Sequence, residues 1–132
     1  MIQRLLLVYN ADEGLASMLI DGAHKILKPE TYQCSLCMIS YGPVSMRRAW
    51  RKFLDTLPME KAFYHRQDFT RDYPVSEFPA VEKLVLPAIL VEQGPDIHIL
   101  LDSQRLDQIK NVDALIAATK GEIEKLSIGV TA

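Results

Sequence analysis

The chain has 132 residues, 48% of them hydrophobic and 24% charged, the size and composition of one soluble globular domain spanning 1–132 around a single core. Its formal charge of −2 and pI near 5.9 provide no global basic field for nucleic acid. The longest apolar runs, such as "LVLPAILV" at 84–91, are far too short to cross a bilayer, so no membrane partner is expected.

The opening "MIQRLLLVYNADEG" has one arginine and a brief apolar run, but a charged helix start follows where a signal peptide would need small residues. A cytoplasmic location is the expectation, and cysteines there are normally reduced. "RLLLVY" at 4–9 is nearly continuous in apolar residues, as a strand buried on both faces should be. Asn10 then stands three residues before Glu13, the spacing of a capping box, and opens a helix over about 11–27. That helix buries Leu15, Leu19, Ala23 and Ile26 and carries Asp21 and His24 on its other face. Because Asp12 and Glu13 already meet the positive end of this helix, no phosphate site is expected at Asn10–Gly14.

"CSLCMISY" at 34–41 reads as a second strand, stopped by "GP". Ser45 is placed to cap a helix over 46–57, with Trp50, Phe53, Leu54 and Leu57 as its buried stripe. "KAFYHR" at 61–66 is a third strand. The prolines at 74 and 79 leave 67–83 as loop with room for one short helix. "LPAILV" and "DIHILL" flank "EQGP" as the two arms of a hairpin. "NVDALIAATKGEIEKL" is an amphipathic helix with Val112, Leu115, Ile116, Thr119, Ile123 and Leu126 along one side. The order β-α-β-α-β-β-β-α implies an α/β sandwich: a central mixed sheet, internal strand 4–9, and helices on both faces.

The proline opening a buried strand (Leu86-Pro87), the hairpin at Gly94, the second strand and the closing helix resemble the C-terminal half of the thioredoxin superfamily. With the opening βα unit, the resemblance covers roughly half the chain. It implies a thioredoxin-like sandwich in which the Leu86-Pro87 bond is cis and abuts a substrate-binding surface, the X-Pro bond being the one place where cis is cheap. The chain departs from that superfamily where it matters most for redox chemistry. The place of the usual CxxC, just after the first strand, reads "NADEGLA". The pieces "VYNAD", "AHK", "CSLC", "HRQDF" and "LPA" also resemble a set of small uncharacterised bacterial proteins. Some of those carry a GTPase label, for which this chain has no GxxxxGK[ST] loop.

The chain's two cysteines, Cys34 and Cys37, are spaced CxxC. Fully extended, the pair would have Cα atoms roughly 10 Å apart and side chains on opposite faces, whereas a disulfide needs them within about 7 Å. Joint chemistry therefore requires a turn at 34–37. Three readings stay open: core packing, a redox-active dithiol, and a site formed by Cys34, Cys37 and His24 for zinc or another thiophilic metal. In the last, Asp21 would orient the imidazole from the same helix face. Packing is the commonest fate of a free cysteine, but this pair is the constellation with distinctive chemistry, and it leads the functional readings.

The alternative is a non-catalytic module, binding a protein or ligand through the Pro87 pole, with Asn10, Tyr41, His65 and Leu86 around it. His65, Arg66 and Asp68 stand near a strand end, where ligands of α/β proteins gather. No nucleophile is near them in sequence, and the plainer reading is a polar strand end facing water. "SMRRAWRK" reads as the solvated back of a helix whose buried stripe holds Trp50, rather than as a nucleic-acid patch. His98 reads as a tolerated strand residue. A protein partner or a homo-oligomer stays open; no substrate or reaction is named by these residues.

Overall fold

The computed structural model describes residues 2–10, 36 and 47–131, the last five by backbone alone. It is an α/β structure with a four-stranded mixed sheet. In chain order the elements are β1 (Arg4–Val8), α1 (Arg48–Thr56), β2 (Glu60–Tyr64) and α2 (Arg66–Asp72). A 3-10 turn (Pro79–Val81), β3 (Ala88–Gln93), β4 (Asp96–Leu101), α3 (Ser103–Gln108) and α4 (Val112–Thr131) follow.

The sheet order is β2-β1-β3-β4. β1 runs parallel to β2, in register from Arg4 opposite Glu60 to Val8 opposite Tyr64. It runs antiparallel to β3, from Arg4 opposite Glu92 to Val8 opposite Ala88. The expected internal position of this strand is thus observed, and so is the cis Leu86-Pro87 bond just before β3. Successive side chains of a strand leave on opposite faces, so β1 feeds two cores. Leu5, Leu7 and Tyr9 pack with Leu36, Trp50, Leu54, Leu106 and Leu115. Leu6 and Val8 pack with Phe69, Tyr73 and Val81.

Helices cover both faces. On the first, α1 presents Trp50 and Leu54 with Phe53 half-buried, while Arg47, Arg48, Arg51 and Lys52 lie exposed on its back. Ordinary surface solvation therefore accounts for these basic residues. α4 packs over β4 and α1 through Leu115 and Thr119, both fully buried, flanked by half-buried Val112, Ile116, Ile123 and Leu126. The buried Thr119 hydroxyl donates to the Leu115 carbonyl at 2.8 Å, which relieves the cost of taking it out of water. α3 is a six-residue helix that the apolar pattern did not reveal. Asp102 caps it, accepting from the Arg105 backbone N–H at 2.8 Å, and Leu106 is its one buried side chain.

Two expectations need correction. Leu36 lies within "CSLCMISY", yet its backbone is helical and its side chain is fully buried in the first core. The strand expected over 34–41 is therefore not found at that residue. A short apolar run fits a buried helix as well as a strand, and Leu36 is helical. The strand expected at 61–66 is displaced to Glu60–Tyr64, because His65 leaves the sheet to become the N-cap of α2. α2 and the 3-10 turn also give structure to a stretch read mostly as loop. The first helix, 11–27, and Ser45 lie outside the described residues.

The β3–β4 hairpin turns through Gly94 and Pro95, between the paired residues Gln93 and Asp96. Gly94 has φ +61°, the left-handed value that a type II′ hairpin asks of its first loop residue. Gly121, in contrast, sits inside α4, and an added Cβ would meet nothing within 4 Å at either glycine. The same substitution should therefore act in opposite directions. Gly94→Ala is expected to cost about 1 kcal/mol through backbone conformation alone, and Gly121→Ala to add roughly 0.5–1 kcal/mol. Urea midpoints of the two variants check this; a shift in the same direction for both contradicts the assigned backbone.

Candidate functional site

The parallel pairing of β1 and β2 brings their C-terminal ends to one pole, and the antiparallel β3 begins there. Pairing continues one step beyond β1, where the Tyr9 backbone N–H donates to the Tyr64 carbonyl at 2.8 Å. The chains then diverge into Asn10 on one side and His65 and Arg66 on the other. Arg66 rejoins them: its guanidinium Nη1 donates to Asn10 Oδ1 at 2.9 Å, across 56 residues of sequence. The pole thus has a side-chain clasp between the residue that follows the end of β1 pairing and the first residue of α2.

Asn10, His65 and Leu86 are half-buried at this pole and Pro87 is buried behind them. The structure therefore brings together four of the five residues expected to bind, while Tyr41 lies outside the described residues. Arg66 joins the set through its bond to Asn10. The sequence singles out Arg66 with His65 and Asp68 near a strand end, but its contact with Asn10 had no sequence signal, because that partner is remote in the chain.

His65 and Asp68 are held close by local structure. Asp68 Oδ1 accepts from the His65 backbone N–H at 2.6 Å, the carboxylate arm of a capping box. Its other oxygen, Oδ2, lies 3.9 Å from His65 Nδ1, an ion pair only when the imidazole is protonated. The Tyr9 ring stands 6.2 Å from the imidazole and lies flat against Phe63 at 6.5 Å. Helix capping thus explains Asp68, and a catalytic dyad is not needed to explain it. Among the described residues no group of three or more His, Cys, Asp or Glu side chains could hold a metal. Cys34, Cys37 and His24, the expected dithiol and metal ligands, lie outside the described residues. His98 is exposed on β4 opposite Val91, as a tolerated strand residue should be.

Behind His65, on the second face, is a polar and aromatic cluster that pattern reasoning missed. Tyr64, Phe69, Tyr73 and Phe78 pack ring to ring, with Tyr64 edge-on to Tyr73 at 5.6 Å and Phe69 stacked on Tyr73 at 5.4 Å. Tyr73 meets Phe78 at 5.1 Å. Arg4 Nη1 donates to the Tyr73 hydroxyl at 3.2 Å, and Arg4 Nε lies 3.6 Å from Glu60 and 3.9 Å from Glu92, its two cross-strand neighbours. The Tyr64 hydroxyl donates to Asp72 Oδ2 at 3.1 Å. Burial pushes both phenols above the ordinary tyrosine range, Tyr64 strongly, and the neighbouring Tyr73 and Asp72 push Tyr64 further. Glu92 also raises Tyr73, against the opposing pull of Arg4.

A comparison with protein-family models, one with curated proteins and one with solved structures each find no match. Among the described residues no helix is long and apolar enough to cross a membrane.

Two consequences follow from this geometry. Asp68→Ala should cost about 1 kcal/mol by loss of the cap, and Asp68→Asn less, since the amide keeps an acceptor; equal losses in thermal unfolding would contradict the capping role. The tyrosines set an alkaline limit. Unfolded tyrosine releases its proton near pH 10, while the raised folded groups keep theirs, so the native state binds more protons above that pH and stability falls. The contribution is whole below about pH 10 and lost as pH rises further. Tyr64→Phe and Tyr73→Phe should each flatten that fall in urea titrations between about pH 9 and 11; a slope unchanged in both would contradict it.

Proposed function

We propose that the protein is a thioredoxin-like binding module whose working surface is the pole at which β1 and β2 end. The observation that carries this reading is the strand order β2-β1-β3-β4 with β1 and β2 alone parallel. It puts Asn10, His65 and Arg66 after the carboxyl ends of two parallel strands, where open α/β sheets receive ligands, with Leu86 just before the antiparallel β3 at the same pole. The internal β1 and the cis Leu86-Pro87 bond support the resemblance to the thioredoxin superfamily. The occupant is a protein segment rather than a reacting small molecule. The pole offers hydrogen-bonding side chains beside half-buried Leu86, and among the described residues its His65–Asp68 pair is engaged in capping.

A selection of random peptides on the immobilised protein tests this. Peptides should be enriched on the wild type and lose at least ten-fold in affinity on a His65→Ala, Arg66→Ala double variant. Enriched peptides that bind the double variant equally well would overturn the pole as the working surface.

A second reading keeps the cysteine pair active, as a redox dithiol or, with His24, as a site for zinc or another thiophilic metal. The observation favouring it is the helical backbone at Leu36, between the two cysteines. It departs from the extended conformation that would hold the cysteines roughly 10 Å apart. Freshly purified protein should then show either bound zinc or thiols that oxidise to an intramolecular disulfide, and Cys34→Ser or Cys37→Ser should each abolish the response. Two freely titrating thiols, no metal and a purely destabilising effect of both variants would leave the cysteines as packing.

A further inference from the structure

The second face of the sheet has a cavity of about 110 Å³ between α2, the 3-10 turn and the approach to β3. Phe69 and Tyr73 wall it from α2, Val81 from the turn, and Leu84 and Leu86 from the segment before β3. Val75 and Thr70, both exposed, complete the lining, so the cavity opens to solvent along these two residues. Among the described residues no charged side chain lines it. Its two hydroxyls already serve the protein: Thr70 Oγ1 donates to the Arg66 carbonyl at 2.9 Å, and the Tyr73 hydroxyl accepts from Arg4.

These features define a ligand class. A cavity without charge, whose hydroxyls are engaged elsewhere, selects by shape and by removal of apolar surface from water. An enclosed apolar cavity near 150 Å³ takes up benzene; this one, of about 110 Å³ and open to solvent on one side, has room for part or all of a single ring or a branched aliphatic group. The walls suit a ring further, because Phe69 and Tyr73 already stack at 5.4 Å and present aromatic edges and faces to a third.

We propose that this cavity is a binding site for a small uncharged apolar molecule, of the size of one aromatic ring. Apart from Leu86 its lining is separate from the pole, so it stands or falls independently of the peptide-binding reading.

Titrating the 15N-labelled protein with toluene tests it, with benzoate as the charged counterpart. Toluene should give saturable amide shifts confined to Phe69–Val75 and Val81–Leu86, with a dissociation constant on the order of 1 mM. Benzoate, which puts a carboxylate where no cation lines the wall, should bind at least ten-fold more weakly. Val75→Phe, at a position exposed enough to accept the change, should block the opening and abolish the shifts. Shifts that do not saturate, that scatter over the surface, or that benzoate reproduces equally would overturn the proposal. So would an unchanged response in folded Val75→Phe, and the benzoate comparison decides the matter by itself if that variant misfolds.

Discussion

β1 has both edges paired and both faces buried, and the rest of the described structure is arranged by that fact. Leu5, Leu6, Leu7 and Val8 are all fully buried. A strand in that position has no exposed backbone and no solvent face, so a one-residue slip would exchange the two cores' side chains. Its register is therefore fixed twice, by β2 on one side and by β3 on the other. Arg4 marks the end of the buried run. It stands between Glu60 and Glu92 and reaches the Tyr73 hydroxyl, so the one charged residue of β1 meets carboxylates on both neighbouring strands.

The same constraint builds the pole. Because β2 is parallel to β1, the segments that follow the two strands emerge side by side, and Asn10 and Arg66 come within hydrogen-bonding distance. Because β3 is antiparallel, the chain enters the sheet there through Leu86 and Pro87. Neither the clasp nor the approach to β3 belongs to the sheet, yet both are placed by it. α2 starts directly from this pole and runs along the second face, which makes the capping of His65 and Asp68 a local consequence of leaving β2. The aromatic cluster behind it then closes the second core, leaving the apolar cavity beside Val75.

How much of this could be read in the sequence depended on the kind of signal. The unbroken run at 4–9 and the Gly94 hairpin were legible because burial on both faces and a positive φ leave strong residue patterns. "DIHILL" matched β4 from Asp96 to Leu101, and the stripe of α4 was legible over more than three turns. α2 and α3 were not, since each buries one residue, Phe69 or Leu106, too few to show a period. His65 ended its strand early by becoming the N-cap of α2. At Leu36 the apolar run was ambiguous in principle, and helix rather than strand was the outcome. Asn10, His65, Leu86 and Pro87 were named for one pole through the resemblance, and they lie at the ends of neighbouring strands. Arg66 was named beside His65, but its contact with Asn10, 56 residues away, had no sequence signal.

The pole as working surface is the central claim, and amide chemical-shift mapping with a peptide selected for binding to the folded protein tests it most directly. Shifts should concentrate at Tyr9, Asn10, His65, Arg66 and Ala88, with Arg4 and Glu60, at the opposite ends of the same strands, unmoved. Shifts concentrated at Arg4 and Glu60, or along the outer strand β4, would contradict it.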